Sequence, residues 1–290
     1  IPAPAVVAVF CGDHGVVSSG VTPWPMEITA AVLRGLAAES AGVSVLARQM
    51  GVRVIGVDVG VAGDVTPSPL VLDRKVRRAT DDLAAGPAMS RADADAAFAV
   101  GRQVARDVIA AGAGCLLTGE MGIGNTTPSA ALIACITGLP PGELTGRGTG
   151  IDDDMLRTKR KIVEAAVARA RGQEPMDLLA DIGGLEIAAL AGFVIGGAAA
   201  RVPVIVDGVI TLAATVVADA LTGGAVRPYL LAGHRSVEPA ATAALDHLGL
   251  EPILDLSLRL GEGTGAVLAL PIVQAAARVL GEMATIEDLV

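Results

Sequence analysis

The chain has 290 residues, 52% of them hydrophobic, which is enough apolar material for a large buried core. Its 22 Lys and Arg against 31 Asp and Glu leave a net charge of −9, which argues against general binding of nucleic acid or an anionic membrane. Any anionic ligand is left to a few local basic residues. Cys11, Cys115 and Cys135 are odd in number, lie in apolar surroundings and lack CxxC spacing, so they read as reduced thiols of a cytoplasmic protein, not disulfides or zinc ligands.

The chain opens at Ile1 with neither an initiator Met nor a secretion signal, so its numbering is expected to start inside a longer natural chain. A strand-like run at 5–10 is followed by helical periodicity over 28–50, a strand at 53–59, and an excursion at 64–87 that reads as a surface loop or a lid. Helix 91–111, strand 115–117 and helix 129–136 come next, then helices 153–171 and 185–200. Strand 204–206, helix 212–221, strand 229–232 and helix 267–280 complete the series. Short β-like runs alternating with longer helices predict a parallel sheet wrapped by helices. The apolar run 187–200 stops at Arg201 and the next lies between Asp207 and Asp219, so neither reaches the roughly 20 residues of a membrane span.

Polar residues stand beside glycine where the strands end: Gly12-Asp13-His14, Asp58-Val59-Gly60, Gly119-Glu120, Asp207-Gly208 and Gly233-His234. Ligands of open α/β sheets bind outside the carboxyl ends of the strands, so several of these residues are expected to line one crevice, although Asp and Gly are also ordinary turn formers. Within 115–128, the run Gly119-Glu120-Met121-Gly122-Ile123-Gly124-Asn125-Thr126-Thr127 joins a strand to a helix. It reads equally as a phosphate cradle at a helix N-terminus or as a plain turn. No Lys follows its last glycine, and Thr127 stands where a dinucleotide fingerprint has Gly or Ala, so neither of those motifs applies.

A second Gly-rich segment, Leu260-Gly261-Glu262-Gly263-Thr264-Gly265, offers Glu262 either as a general base open to close approach or as a charged residue at a helix start. A third, Gly146-Arg147-Gly148-Thr149-Gly150, leads into the densest positive cluster, Arg157, Lys159, Arg160 and Lys161; this is an anion site or a solvated helix face. His14, His234 and His247 have no metal-site spacing, Ser236 has no nucleophile signature, and Trp24 and Tyr229 read as packing residues in a chain with 2% aromatics, with stacking on a flat ligand as the alternative.

Taken together with Gly12-Asp13-His14-Gly15-Val16, the three Gly-rich segments resemble, in order and spacing, the nicotinate-nucleotide:dimethylbenzimidazole phosphoribosyltransferase family, from about residue 4 to about residue 280. The resemblance implies transfer of a phosphoribosyl group from nicotinate mononucleotide to 5,6-dimethylbenzimidazole or a related base, by a homodimer without metal or cofactor. It implies a Rossmann-like α/β fold, mostly parallel, with a small helical domain. Residues 1–265 then form the large domain, including a helical or lid insertion near 20–50, and 266–290 contribute to the small one, whose N-terminal part the chain lacks. The family's base falls on Glu262, and its nucleotide contacts on Glu120, Gly122, Ile123, Gly124, Asn125, Thr126, Gly148, Lys159 and Ser236. Leu260 falls at a wall of the base pocket, and Thr22 and Met26 are further expected substrate contacts. Met26, Ala31 and Ala240-Ala241 depart from the family pattern, which leaves the accepted base less defined than the transfer itself. The rival readings are a non-catalytic nucleotide-binding module and a nicotinamide-dependent oxidoreductase, the second disfavoured by Thr127.

Overall fold

The structure, a computed structural model, describes residues 1–66 and 68–289. Seven strands form one parallel sheet in the order β3-β2-β1-β4-β5-β6-β7. In sequence they are β1 (Ala5–Gly12), β2 (Arg53–Gly60), β3 (Val71–Asp73), β4 (Cys115–Met121), β5 (Val204–Val206), β6 (Leu230–His234) and β7 (Pro252–Leu254). This is the 3-2-1-4-5-6 order of a Rossmann-like sheet, extended by one edge strand, and its switch point lies between β1 and β4.

Strand pleating sorts the core into two layers. Val6, Ala8 and Phe10 of β1 face one cluster, and Ala5, Val7, Val9 and Cys11 face the other. On the second face lie α1 (Glu27–Ala37), α2 (Gly42–Met50) and the first turns of α11 (Thr264–Glu282), through Leu33, Val43 and Ala266 to Leu270. The first face carries α3 (Arg91–Ala110), α4 (Thr126–Thr137), α6 (Asp153–Ala170), α7 (Pro175–Ile182), α8 (Leu185–Ala199), α9 (Val209–Thr222) and α10 (Pro239–Leu248). The short α5 (Pro141–Leu144) and α12 (Ile286–Leu289) complete the helices.

Several elements differ from expectation. The region 28–50 is two helices, because Glu39 takes a left-handed φ of 54° and the N–H groups of Ser40 and Ala41 turn back to the Gly35 carbonyl. The second of them starts where the Glu262 carboxylate accepts from Val43 N–H at 2.9 Å, a partner 219 residues away that no local pattern reveals. The excursion at 64–87 contains β3, and Lys75 returns from it to pair with Asp58 at 2.8 Å. β4 runs on through Thr118 to Met121, so Gly119 and Glu120 are strand residues rather than loop, and Tyr229 lies in a 3-10 turn before β6.

α8 is buried along its length, and glycines bring its backbone against α3. A Cβ at Gly101 would lie 1.7 Å from the Ala189 carbonyl oxygen, and one at Gly192 would lie 2.1 Å from that of Phe98. Replacing Gly101 by Ala is expected to lower unfolding stability by about 2 kcal/mol or more, since overpacking outweighs the gain of about 1 kcal/mol in helix propensity. Urea unfolding checks this; a midpoint equal to that of the unaltered protein would contradict the close helix contact.

Candidate active site

A cleft of about 320 Å³ opens at the carboxyl ends of β4, β5 and β6. It is lined by Thr22, Glu120, Gly122, Ile123, Gly124, Asn125, Thr126, Gly148, Lys159, Ser236, Leu260 and Glu262, so segments from six parts of the chain meet there. Met26 is not among the lining residues; its carbonyl starts α1 by accepting from Thr29 N–H at 3.0 Å.

One part of the cleft suits an anion. Lys159 is 1% exposed, unlike Arg157, Arg160 and Lys161 on the solvent face of α6, and its Nζ donates to Thr126 Oγ1 at 2.7 Å and to the Gly146 carbonyl at 3.1 Å. Burial pushes its ammonium down to about 8, with the Glu238 charge opposing. Glu238 also accepts from Gly148 N–H at 2.8 Å, and Arg259 donates to the Gly148 carbonyl at 2.8 Å, so the 146–150 loop is tied on both sides. The start of α9, at Gly208, has no side-chain cap and lines the cleft, leaving the N–H groups of Val209, Ile210 and Thr211 free for a phosphate; at the start of α4 the Thr127 N–H already donates to the Gly124 carbonyl at 3.0 Å and Pro128 has none, so only the Thr126 N–H is left there. Gly122 must be glycine here, since its Cβ would lie 2.4 Å from the Gly12 carbonyl oxygen. Behind it, outside the cleft, His14 Nε2 and Glu186 Oε1 form a fully buried pair at 2.6 Å.

The other part holds the carboxylates and an apolar wall. Glu262 takes a left-handed φ of 61° between Gly261 at 82° and Gly263 at 91°, a conformation disfavoured for a side-chain-bearing residue and retained at sites that over-determine it. Its N–H donates to the Glu120 carbonyl at 3.3 Å while its carboxylate caps α2. Glu120 accepts from the Asn125 side-chain amide. Burial, then the charges of Asp207, Glu186 and Glu262, raise it to about 8 against that hydrogen bond, so at neutral pH Glu120 is a neutral acid with an O–H to donate. Trp24 is 47% exposed and Leu260 63% exposed; together with Ile28 they form the apolar wall. Trp24 is thus a cleft residue and not a packing one. Tyr229 does pack against the core.

Asp207, His234 and Glu238 also line the cleft. Their signal in the sequence was the polar residue at a strand end for the first two; Glu238 carried none. Among the described residues, no group of three His, Cys, Asp or Glu side chains is arranged to hold a metal ion.

The chain is similar to known proteins over almost its whole length. A family model described as phosphoribosyltransferase matches residues 2–289. A nicotinate-nucleotide–dimethylbenzimidazole phosphoribosyltransferase of Salinispora tropica is 49% identical over 304 residues, covering 99% of this chain and 83% of that protein. One of Geobacter sulfurreducens is 48% identical, covering 98% and 81%. The crystal structure of CobT from Thermus thermophilus superimposes with a TM-score of 0.97 at 43% identity, covering all of this chain and 86% of that one.

A phosphomonoester held by Lys159 requires the ammonium form. With that group at about 8 in the free protein, affinity for ribose 5-phosphate is expected to fall about tenfold between pH 7 and pH 9 as the charge is lost. The variant K159M should bind weakly with no such dependence. Calorimetric titration at the two pH values checks both; a flat profile in the unaltered protein would contradict the assignment.

Proposed function

The chain belongs to the nicotinate-nucleotide–dimethylbenzimidazole phosphoribosyltransferase family, and from that premise we propose that it moves the phosphoribosyl group of nicotinate mononucleotide to 5,6-dimethylbenzimidazole or a related flat base. The products are nicotinate and α-ribazole 5′-phosphate, used to build the lower ligand of cobalamin. The observation that carries this reading is one cleft lined both by a buried ammonium beside uncapped helix starts and by a carboxylate on a Gly-flanked turn beside an apolar wall.

The bond broken joins ribose C1′ to a pyridinium nitrogen, whose bonding electrons return to the ring and discharge it. Nicotinate therefore leaves without needing a proton. The attacking azole nitrogen donates its pair to C1′ from the opposite face, inverting a β-nucleotide to an α-riboside. As that ring becomes positive, the proton on its other nitrogen turns acidic and passes to Glu262. A single base is then sufficient. Lys159, the N–H groups at the start of α9 and the Thr126 N–H hold the phosphate, and the neutral Glu120 gives a ribose hydroxyl a donor without setting a second negative charge beside the anion. Trp24, Ile28 and Leu260 receive the flat acceptor and, with the phosphate fixed, bring it in line with C1′.

The cleft-lining residues precede 266, which supports reading 1–265 as the site-bearing domain, although the first turns of α11, Ala266 to Leu270, are packed in that domain's core and only the later part of the helix is exposed enough to belong to a small domain. The family resemblance also supports a cytoplasmic homodimer, for which the exposed Ile272, Val279 and Leu280 of α11 offer apolar surface.

The variant E262Q keeps the size of the side chain but cannot take the proton. It is expected to bind nicotinate mononucleotide within about threefold of the unaltered protein while losing about a hundredfold or more in kcat. Chromatographic measurement of released nicotinate checks this, and turnover unchanged in E262Q would remove Glu262 as the base.

A further inference from the structure

The turn that carries Glu262 has no cap of its own. Gly263, the residue before α11, has no side chain, and the turn from Gly261 to Gly263 keeps three successive left-handed residues. Such a turn persists only where its surroundings hold it. From within the turn, Thr264 N–H donates to the Gly261 carbonyl at 3.1 Å and Thr264 Oγ1 donates to the same oxygen at 2.8 Å. These bonds close the loop on itself but do not fix it to the sheet.

Besides the bond from Glu262 N–H to the Glu120 carbonyl of β4, a second anchor comes from the end of β5 and holds the start of α11. Asp207, 1% exposed, follows that strand directly, and its Oδ1 accepts from Ala266 N–H at 2.9 Å in the first turn of α11. Its own N–H donates to Thr118 Oγ1 at 3.0 Å, which fixes the Asp207 backbone to β4. His234, at the end of β6, lies over the same point with Nε2 3.6 Å from Asp207 Oδ1. Its ring fills the space above Gly265, where a Cβ would come within 2.0 Å of His234 Cδ2. Burial raises the Asp207 carboxyl, opposed by His234 and by the N–H groups of Ala266, Gly265 and Gly263. The start of α11 is therefore clamped by a carboxylate 59 residues upstream, with a histidine ring closing the gap.

We infer that Asp207 is a positioning residue for Glu262: by accepting from Ala266 N–H in the first turn of α11 it fixes the Gly261–Gly263 turn, and so the place of the general base, against β4. The inference rests on the proposed function, in which Glu262 takes the proton. Asp207 itself acts through the backbone and exchanges no proton with the substrate.

The test couples rate to local order. In D207A, kcat is expected to fall about thirtyfold to a hundredfold, as displacement of a reacting group by about 1 Å does, while the KM for nicotinate mononucleotide stays within about threefold because Lys159 and the backbone N–H groups at the start of α9 are left in place. Hydrogen exchange over 259–267, read by mass spectrometry, should quicken in the same variant while exchange over 115–128 stays unchanged. D207N retains one acceptor oxygen and should show smaller changes in both. If D207A does not fold, D207N carries the test alone: kcat and exchange at 259–267 must move together. Loss of kcat with unchanged exchange would assign Asp207 a direct role and overturn the inference, as would undiminished kcat. Unaltered protein assayed in the same series separates the two readings. Absence of any riboside from it defeats the proposed function, whereas unchanged exchange in D207A defeats the inference on Asp207 with or without turnover.

Discussion

The arrangement depends on one backbone contact, where the turn Gly261–Gly263 is pressed onto the end of β4. Glu262 N–H donates to the Glu120 carbonyl, and the Glu262 carbonyl oxygen lies only 2.5 Å from where a Cβ on Gly119 would be. Gly263 in turn sits against the Thr118 carbonyl, its own Cβ position 2.9 Å from that oxygen. Two chains can approach this closely only without side chains at Gly119 and Gly263. The contact joins the nucleotide loop after β4 to the base-bearing turn before α11. It also carries the Glu262 carboxylate to the start of α2, so the break in the 28–50 region, the end of β4 and the start of α11 are set by the same junction.

Electrostatics around that junction follow from burial. Glu120, Asp207, Glu262 and Glu186 bring four carboxyl groups into one neighbourhood, a concentration that the enclosed interior disfavours if all are ionised. Glu120 answers by holding its proton. His14 pairs with Glu186, and the N–H groups of α11 and α2 receive Asp207 and Glu262. Lys159 is kept apart from this set, beside Glu238 and neutral oxygen acceptors. A protein of net charge −9 can therefore hold a phosphate in one part of the cleft and accept a proton in another.

Local chemistry made the main features legible in the sequence. Alternating β-like and helical periods foretold the parallel sheet, and of the polar residues beside glycine at strand ends Glu120, Asp207 and His234 line the crevice, whereas Asp13, His14 and Asp58 lie outside it. The resemblance carried by the Gly-rich runs then singled out Glu262 and Lys159 among many acidic and basic residues. What stayed hidden depends on distant partners. The split of 28–50 needs Glu262; β3 and β7 are three-residue edge strands with too little pattern to read; and the helical spacing around Lys159 looks like that of its exposed neighbours, Arg160 and Lys161. Trp24 looked like core because aromatics are scarce in this chain, yet scarcity says nothing of which face of the fold a side chain meets. Met26 is expected among the substrate contacts, but its position starts α1 and leaves the cleft wall to Trp24 and Ile28.

If one carboxylate and one fixed phosphate suffice, the acceptor must displace nicotinate directly, from the opposite face of the ribose. The most direct measurement is therefore the anomeric configuration, by NMR at H1′, of the riboside phosphate formed from β-nicotinate mononucleotide and 5,6-dimethylbenzimidazole. The α-anomer alone is the expected result. A β-riboside, or a mixture of the two, would contradict direct displacement in this cleft.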